Sequence, residues 1–337
     1  MKRNGGKVKK IIVAVIGTVL LISALYFALR PSSFDKELQN AVDTLKHYHM
    51  SGTMEVVEGE DLKTFTIDLS WDKEGEQEFY RVSLYDQGIN QEQVILKNRD
   101  GVFVLTPSLN QAFKFKGDWP SDSPKPYLYQ SMLTLLQGEH VSKKIDGGYM
   151  VSADVNYVNS PSLVKQEMVF DKELKPKTIK VYNADGFAEI TISFDDVDMN
   201  PVFDDTYFAV DANLAKNQTE VTGAIVDLPL YPVAVYDARL TNTSVAEVGS
   251  ETRHILEFTG DKSFTVVEVL RNKSEEPTTL TVSGELVDSI DAFGAYDGNC
   301  LTFYNNLVEF TVYSDDLSVD EMLQVVSSMQ VAIVSQK

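Results

Sequence analysis

The chain has 337 residues, a length that indicates about two domains, and 43% of them are apolar, enough for a sizeable core. Lys and Arg total 30 against 50 Asp and Glu, so the formal net charge is −20 and nucleic acid, which carries the same sign, is excluded as a favoured partner. The single cysteine, Cys300, excludes an internal disulfide and a CxxC metal or redox pair.

The N-terminus carries a candidate membrane anchor. Residues 11–29 form an uncharged apolar run, with five cations in residues 1–10 before it and Arg30 after it. As a helix this run reaches about 28 Å, close to the ~30 Å hydrocarbon core of a bilayer. The cation asymmetry predicts a cytoplasmic tail over 1–10, a single-pass anchor in the cell membrane and an extracytoplasmic body. The alternative is a cleaved signal peptide, but the run is longer than a usual h-region and no A-x-A site follows it.

The body begins with a predicted helix and continues as a series of strands. Phe34, Leu38 and Leu45 fall at helical spacing after Ser33. Alternating apolar residues bounded by turn residues predict strands at 50–57, 65–71, 78–85, 93–97, 102–106, 112–116, 149–156, 163–170, 176–182 and 188–197. A proline-rich stretch at 120–126 leads into a short apolar helix at 127–136. The pattern predicts a long antiparallel sheet with helices to one side, an α+β fold over residues 31–212.

A second, smaller α+β domain is predicted over residues 219–337, after a linker at 204–218. Its strand candidates are 233–242, 253–259, 263–270, 279–286, 300–305 and 307–314. A helix is predicted over 318–328, because Ser318 can cap its N-terminus and Asp320 and Glu321 place acids in its first turn.

Motifs for catalysis or metal binding are missing from the sequence. It contains no G-x-S-x-G elbow, no HExxH and no glycine-rich phosphate loop after a strand. His47 and His49 would project from one face of a strand about 7 Å apart, but no third ligand is indicated, which favours surface polar residues. The acid-rich region 195–205 lacks the glycine and terminal Glu of a calcium loop. We predict no catalytic residue, metal or cofactor, with a carboxylate-based envelope hydrolase as an alternative.

The remaining signal is a set of large apolar side chains in the predicted sheet and around the short helix. A curved sheet closed by an apolar helix can enclose a cavity for a hydrophobic ligand, although the same residues could simply fill a core. The candidate ligand-binding residues are Trp71, Phe103, Phe115, Trp119, Leu128, Met132 and Leu136.

The order of these elements resembles the LolA/RseB-like superfamily of envelope carriers over residues 34–210. The resemblance is carried by the opening helix running into Ser51-Gly52-Thr53-Met54, the hairpin at 100–107, the helix at 127–133 and the closing strands and tail at 190–208. Within that superfamily the chain looks similar to sporulation-associated membrane proteins of Firmicutes, of the YdcC and GerS type.

The resemblance implies an antiparallel half-barrel with helices on its concave face, which binds acyl chains or lipoproteins or docks protein partners. A tethered protein cannot shuttle across the envelope, which favours a sensor or partner role over a carrier role. We therefore expect a membrane-tethered, extracytoplasmic, non-catalytic module that binds a lipid or acylated ligand or an envelope protein. The alternative within the resemblance is a partner or regulator of a spore-cortex or cell-wall enzyme.

Overall fold

The computed structural model describes residues 33–58, 61–88, 90–117, 125–157, 160–216, 227–288, 293–305 and 307–331. The predicted span at 11–29 and the candidate residue Trp119 lie outside these ranges. Among the residues inside them, no helix combines the length and apolar character needed to cross a membrane. Among the described residues, those up to Thr44 form one compact unit and those from Leu45 onward form another.

The described ranges contain four α-helices, twenty β-strands and a short 3-10 helix at Pro107–Leu109. The helices are α1 (Ser33–Thr44), α2 (Tyr129–Gln137), α3 (Val210–Lys216) and α4 (Val319–Ser327). The first eleven strands are β1 (His47–Glu58), β2 (Asp61–Glu74), β3 (Gln77–Asp86), β4 (Gln91–Asn98), β5 (Gly101–Thr106), β6 (Gln111–Lys116), β7 (Val141–Ile145), β8 (Gly148–Asp154), β9 (Leu163–Asp171), β10 (Pro176–Asn183) and β11 (Ala188–Asp198). The other nine are β12 (Leu230–Pro232), β13 (Arg239–Val248), β14 (Glu251–Thr259), β15 (Phe264–Leu270), β16 (Thr278–Asp288), β17 (Phe293–Tyr296), β18 (Cys300–Asn305), β19 (Val308–Tyr313) and β20 (Met329–Val331).

Eighteen of these strands form one large curved sheet that does not close on itself. Followed from edge to edge by its pairings, the strand order is β7-β8-β9-β10-β11-β1-β2-β3-β4-β5-β6-β16-β17-β18-β19-β15-β14-β13. Among the described pairings, all are antiparallel except β6 with β16, where Gln111 lies opposite Thr278. The mostly-sheet α+β class is thus confirmed, while the parallel joint was not predicted.

One glycine is needed for the pairing of β1 with β11. The register shifts between Ser51 and Gly52, which marks a β-bulge. A Cβ atom on Gly52 would lie 2.0 Å from the Ser193 carbonyl oxygen. Any side chain at this position would therefore push β1 and β11 apart.

The linker predicted at 204–218 is wrong for its second half. Val210–Lys216 forms α3, and Asn213 and Leu214 on this helix are each 1% exposed. The helix was missed because its seven residues make about two turns, which is too short a segment to show an apolar period.

The strand predicted at 233–242 is also misplaced, since β13 spans Arg239–Val248. Tyr236 and Asp237 have φ angles of 48° and 64°, which end any extended run before β13 begins. Four strands were not predicted: β7, which is exposed on both faces, and the short strands β12, β17 and β20.

The C-terminal helix begins as predicted. The Ser318 hydroxyl accepts the Glu321 backbone N–H at 3.3 Å, and the Glu321 carboxylate accepts the Ser318 N–H at 2.9 Å, which completes a capping box. Met322, Val325 and Val326 of α4 pack into an apolar cluster with residues of β14, β15, β18 and β19.

Candidate functional site

Strand register divides the first half of the sheet into two faces, because directly opposite residues point to the same side. One face, here called the Tyr48 face, carries a row of mutually opposite residues across β1 to β6. The row is Tyr48, Trp71, Tyr80, Lys97, Val102 and Phe115. Met50, Leu69, Val82 and Ile95 form a parallel row beside it, each 0% exposed. The Tyr48 face is therefore apolar over most of its breadth, with Lys97 as a cation within it.

Helix α2 lies against this face through an aromatic cluster. The Tyr48 ring stacks on Trp71 at 6.0 Å between centroids and meets Tyr129 of α2 edge-on at 5.9 Å. Trp71 in turn contacts Tyr80 at 6.5 Å. Such pairs contribute beyond simple burial of apolar area.

Two hydrogen bonds hold α2 in place at this aromatic cluster. The Tyr48 hydroxyl donates to Gln130 Oε1 at 2.6 Å, and the Tyr129 hydroxyl donates to the Leu174 carbonyl at 3.0 Å. Burial raises the pKa of both phenols well above the usual value, so both hydroxyls stay protonated and remain donors.

The structure places the candidate ligand-binding residues in three groups. Trp71, Leu128, Met132 and Leu136 are 0–4% exposed and belong to the Tyr48 face or to α2 and its N-cap. Phe115 is on the same face, but four strands from Trp71, or about 19 Å.

Phe103 lies on the other side of the sheet. It packs with Leu96, Leu105, Ala112 and Leu214, where α3 covers the sheet. The expectation that the helices share one face therefore fails for α3.

This opposite side, here called the Arg81 face, holds a charged network. Arg81 is 7% exposed, and its Nε donates to Asn213 Oδ1 at 2.7 Å. Its guanidinium also pairs with Asp68 and lies 3.8 Å from Glu92 Oε1. Asn213 Nδ2 donates to the Tyr207 carbonyl at 2.8 Å, so Arg81 fixes the segment that contains α3 to the sheet.

Asp68, His49 and Ser70 lie in contact next to Arg81, and no sequence motif indicated this set. His49 Nδ1 is 3.0 Å from Ser70 Oγ, and His49 Nε2 is 3.5 Å from Asp68 Oδ2. Residue types alone would suggest a nucleophile with a base. Ser70, however, is 1% exposed and also bonds the Tyr207 hydroxyl at 2.8 Å. The set therefore fastens Tyr207 to the sheet, and its serine has no open path to a substrate.

Metal binding is not indicated in the part of the chain that the structure describes, where no three His, Cys, Asp or Glu side chains converge. His47 lies 3.6 Å from Asp72, and both side chains are partly exposed. His49 is half-buried and hydrogen-bonded, which differs from the free surface residue expected from the sequence.

A buried carboxyl lies in the C-terminal core. Glu268 of β15 is 0% exposed, and its Oε2 accepts the Leu230 N–H at 3.0 Å. Burial raises the pKa of this group to about 7, against the smaller opposing effect of the Leu230 amide. It therefore titrates near neutral pH.

Comparison with known proteins gives a sequence relative that covers most of the chain. No protein-family model matches the chain. The sporulation protein YdcC of Bacillus subtilis is 30% identical to it over 294 residues, which covers 84% of this chain and 85% of that protein.

Solved structures match the chain at low similarity. The Pseudomonas aeruginosa MucA/MucB complex has a TM-score of 0.30 at 14% identity, covering 88% of this chain and 96% of that one. A LolA superfamily protein from Nitrosomonas europaea has a TM-score of 0.27 at 11% identity, covering 52% and 97%. The CwlD amidase of Clostridioides difficile in complex with the GerS lipoprotein has a TM-score of 0.20 at 14% identity, covering 50% and 96%. Structural similarity at this level assigns neither a ligand nor a partner to the chain.

Proposed function

The chain belongs to the family of the sporulation protein YdcC, and we propose that it is a membrane-tethered, non-catalytic binding module of the cell envelope. It holds a hydrophobic or lipidated ligand between the Tyr48 face and α2. Residues 31–212 supply this binding domain and residues 219–337 form a second domain. The two are joined by the pairing of β6 with β16 and by the stacking of Phe113 on Tyr304 at 3.9 Å.

The observation that supports this proposal is the size of the apolar face relative to α2. The face continues from β1 onto β8 to β11 through a row of opposite residues that are each 0% exposed, Met54, Ile192, Ile179, Met168 and Val151. It therefore runs over ten strands, β1 to β6 and β8 to β11, whose outer members are nine strand spacings, or about 43 Å, apart. Helix α2 has nine residues and is about 14 Å long. Moving it would expose apolar surface without breaking any pairing of the sheet, which is what a lid over a lipid site requires.

The second candidate is a protein-docking role, as partner or regulator of an envelope enzyme during sporulation. It is favoured by the relative, which is named as a sporulation protein. The net negative charge of the chain after Arg30 also favours a protein-docking role, since these residues carry 24 cations against 50 acids. Such a field steers association with a basic partner surface.

Topology gives a first expected result. A reporter enzyme that is active only outside the cytoplasm should be active when fused after Lys337, because the cations of residues 1–10 hold the N-terminus in the cytoplasm. The full-length chain should also stay in the membrane after carbonate washing. A soluble product beginning near Pro31 would show instead that residues 11–29 are a cleaved signal.

Native mass spectrometry of the detergent-extracted full-length chain tests the ligand. We expect a bound mass whose fragments include acyl chains. Met132 is 0% exposed on α2, so Met132→Gln should lower the bound fraction about tenfold by placing an amide in the apolar layer. Leu62 is 60% exposed, and Leu62→Gln is the matched control that should leave binding unchanged. A stoichiometric protein in place of a lipid would favour the second candidate.

A further inference from the structure

Two buried N–H groups beside Tyr48 lack an acceptor within the described ranges. They are Trp71 Nε1 and Gln130 Nε2, and both atoms are inaccessible to water. Trp71 as a whole is 3% exposed. A buried donor left without a partner has lost its hydrogen bonds to water without replacement, so native proteins keep few such donors and each one requires an explanation.

Both donors are arranged around the same tyrosine. The Tyr48 ring stacks on the Trp71 indole at 6.0 Å, and the Tyr48 hydroxyl donates to Gln130 Oε1 at 2.6 Å. This bond occupies the oxygen of the Gln130 amide and fixes which end is the NH₂ group. One donor therefore comes from the sheet and the other from α2, so a ligand atom that reached both would connect the lid to the sheet.

The surroundings indicate the class of acceptor. Tyr80 and Met132, on β3 and α2, are buried, so a group held here is largely removed from water. An anionic carboxylate or phosphate in such a place would need a cation beside it. The cation in the same row is Lys97, whose backbone lies two strands from that of Trp71, or about 10 Å away. Its Nζ is 5.7 Å from the centroid of the Tyr80 ring, with which it makes a cation–π contact. A neutral carbonyl oxygen needs only N–H donors.

We propose that Trp71 Nε1–H and Gln130 Nε2–H bind the ester or amide carbonyl of an acylated ligand, whose hydrocarbon chain lies on the Tyr48 face. This inference rests on the proposed lipid-binding function and adds its point of polar recognition. Trp71 and Gln130 select acyl chains that carry a neutral carbonyl over bare hydrocarbon. They also make the lid sensitive to whether that carbonyl is present.

The test uses the full-length chain in amphipol with monoolein as the ester probe and 1-octadecene as a hydrocarbon without an acceptor. The chain has two tryptophans, so Trp119→Phe leaves Trp71 as the source of the indole N–H resonance. Monoolein should move this proton resonance downfield, and 1-octadecene should not. Trp71→Phe, measured by binding alone, should weaken monoolein about fivefold and leave 1-octadecene unchanged.

Gln130→Glu is a second variant, because it keeps an oxygen for the Tyr48 hydroxyl and replaces the NH₂ donor. It should weaken monoolein at least as much as Trp71→Phe. Tyr85→Phe is the matched control, because Tyr85 lies on the same strand but on the Arg81 face, opposite Glu92. This change removes a hydroxyl and neither donor, so monoolein binding should stay unchanged. Melting temperatures identify any variant that fails to fold.

Equal binding of both probes with no indole shift would overturn the inference while leaving the proposed function in place. The donors would then hold water. Preference for oleic acid over monoolein, with the same dependence on both donors, would overturn the neutral-carbonyl assignment. Failure of every probe to bind would overturn the lipid-binding function itself.

Discussion

Arg81→Met should lower the free energy of unfolding by about 3–5 kcal/mol, because it removes one partner from a buried charge network. The Arg81 side chain is 8% exposed and the Glu92 side chain 9%. The substitution deprives the Glu92 carboxylate of this cation and Asn213 Oδ1 of its donor. Burying the remaining charge costs more than the pair contributed, since the carboxylate cannot recover its hydration.

The measurement is urea unfolding of the full-length chain in mild detergent. Arg99→Met is the matched control, because Arg99 pairs with Glu74 at 2.7 Å while the two side chains are 72% and 57% exposed. Removing that surface pair should change stability by at most about 1 kcal/mol. Adding Glu92→Gln to Arg81→Met should recover part of the loss. Equal effects of the two arginine substitutions would show that Arg81 does not hold the network together.

The same variant has a local consequence at α3. Arg81 bonds Asn213, and Asn98 Nδ2 donates to the Phe208 carbonyl at 3.0 Å, so two sheet residues hold this segment. Losing one of them should speed limited proteolysis at residues 204–216 more than elsewhere. The linker was predicted at 204–218, and the buried arginine explains why Asn213 and Leu214 within it pack on the sheet.

Strands with one buried face could be predicted from the sequence, because alternation is a local signal. In β9 the buried positions Leu163, Gln166, Met168 and Phe170 nearly alternate with exposed ones, and its predicted range differs from the observed one by one residue. The start of α4 could also be predicted from a local signal, because Ser318 and Glu321 have the three-residue spacing of a capping box. Strand β7 is exposed on both sides, so it has no apolar period to detect.

The face of a strand that is buried on both sides could not be predicted. In β5 the residues Val102, Phe103, Val104 and Leu105 are 0–4% exposed. Alternation along the strand shows which of these residues share a face, but it does not show which face lies toward α2. This is why Phe103 was grouped with Trp71 although the two lie on opposite faces. The choice depends on α3, whose Leu214 packs on Phe103 from more than one hundred residues away.

Contacts distant in sequence account for the remaining differences. The pairing of Gln111 with Thr278 has no local signature, since parallel neighbours need only be brought together by the rest of the fold. Arg81, Asp68 and Asn213 each look like ordinary surface residues in the sequence. The burial of Arg81 and Asn213, and the pairing of Arg81 with the partly exposed Asp68, follow from the register of β2 with β3 and from the packing of α3 on the sheet.

Glu268→Gln should remove a pH dependence of stability that amounts to about 3 kcal/mol in the parent chain. The Glu268 carboxyl has a folded pKa of about 7 against an ordinary value of 4.5. Between these values the unfolded chain releases the proton while the folded chain keeps it, so the free energy of unfolding falls as pH rises from about 4.5 to about 7. Each pH unit contributes up to about 1.4 kcal/mol.

The comparison that isolates this effect is the difference between Glu268→Gln and the parent at pH 5 and at pH 8, by urea unfolding. The Glu268→Gln side chain keeps an oxygen for the Leu230 N–H and cannot ionise. The advantage of the variant in free energy of unfolding should therefore grow from about 1 kcal/mol at pH 5 to about 3 kcal/mol at pH 8. Glu257 is exposed on the neighbouring strand, and Glu257→Gln controls for the change in net charge. His254 lies opposite Glu268 on β14, so the comparison is repeated in a His254→Gln background, where the slope due to Glu268 should remain. A constant difference between Glu268→Gln and the parent across this range would mean that Glu268 ionises in the folded core at ordinary pH, with its charge solvated or paired after all.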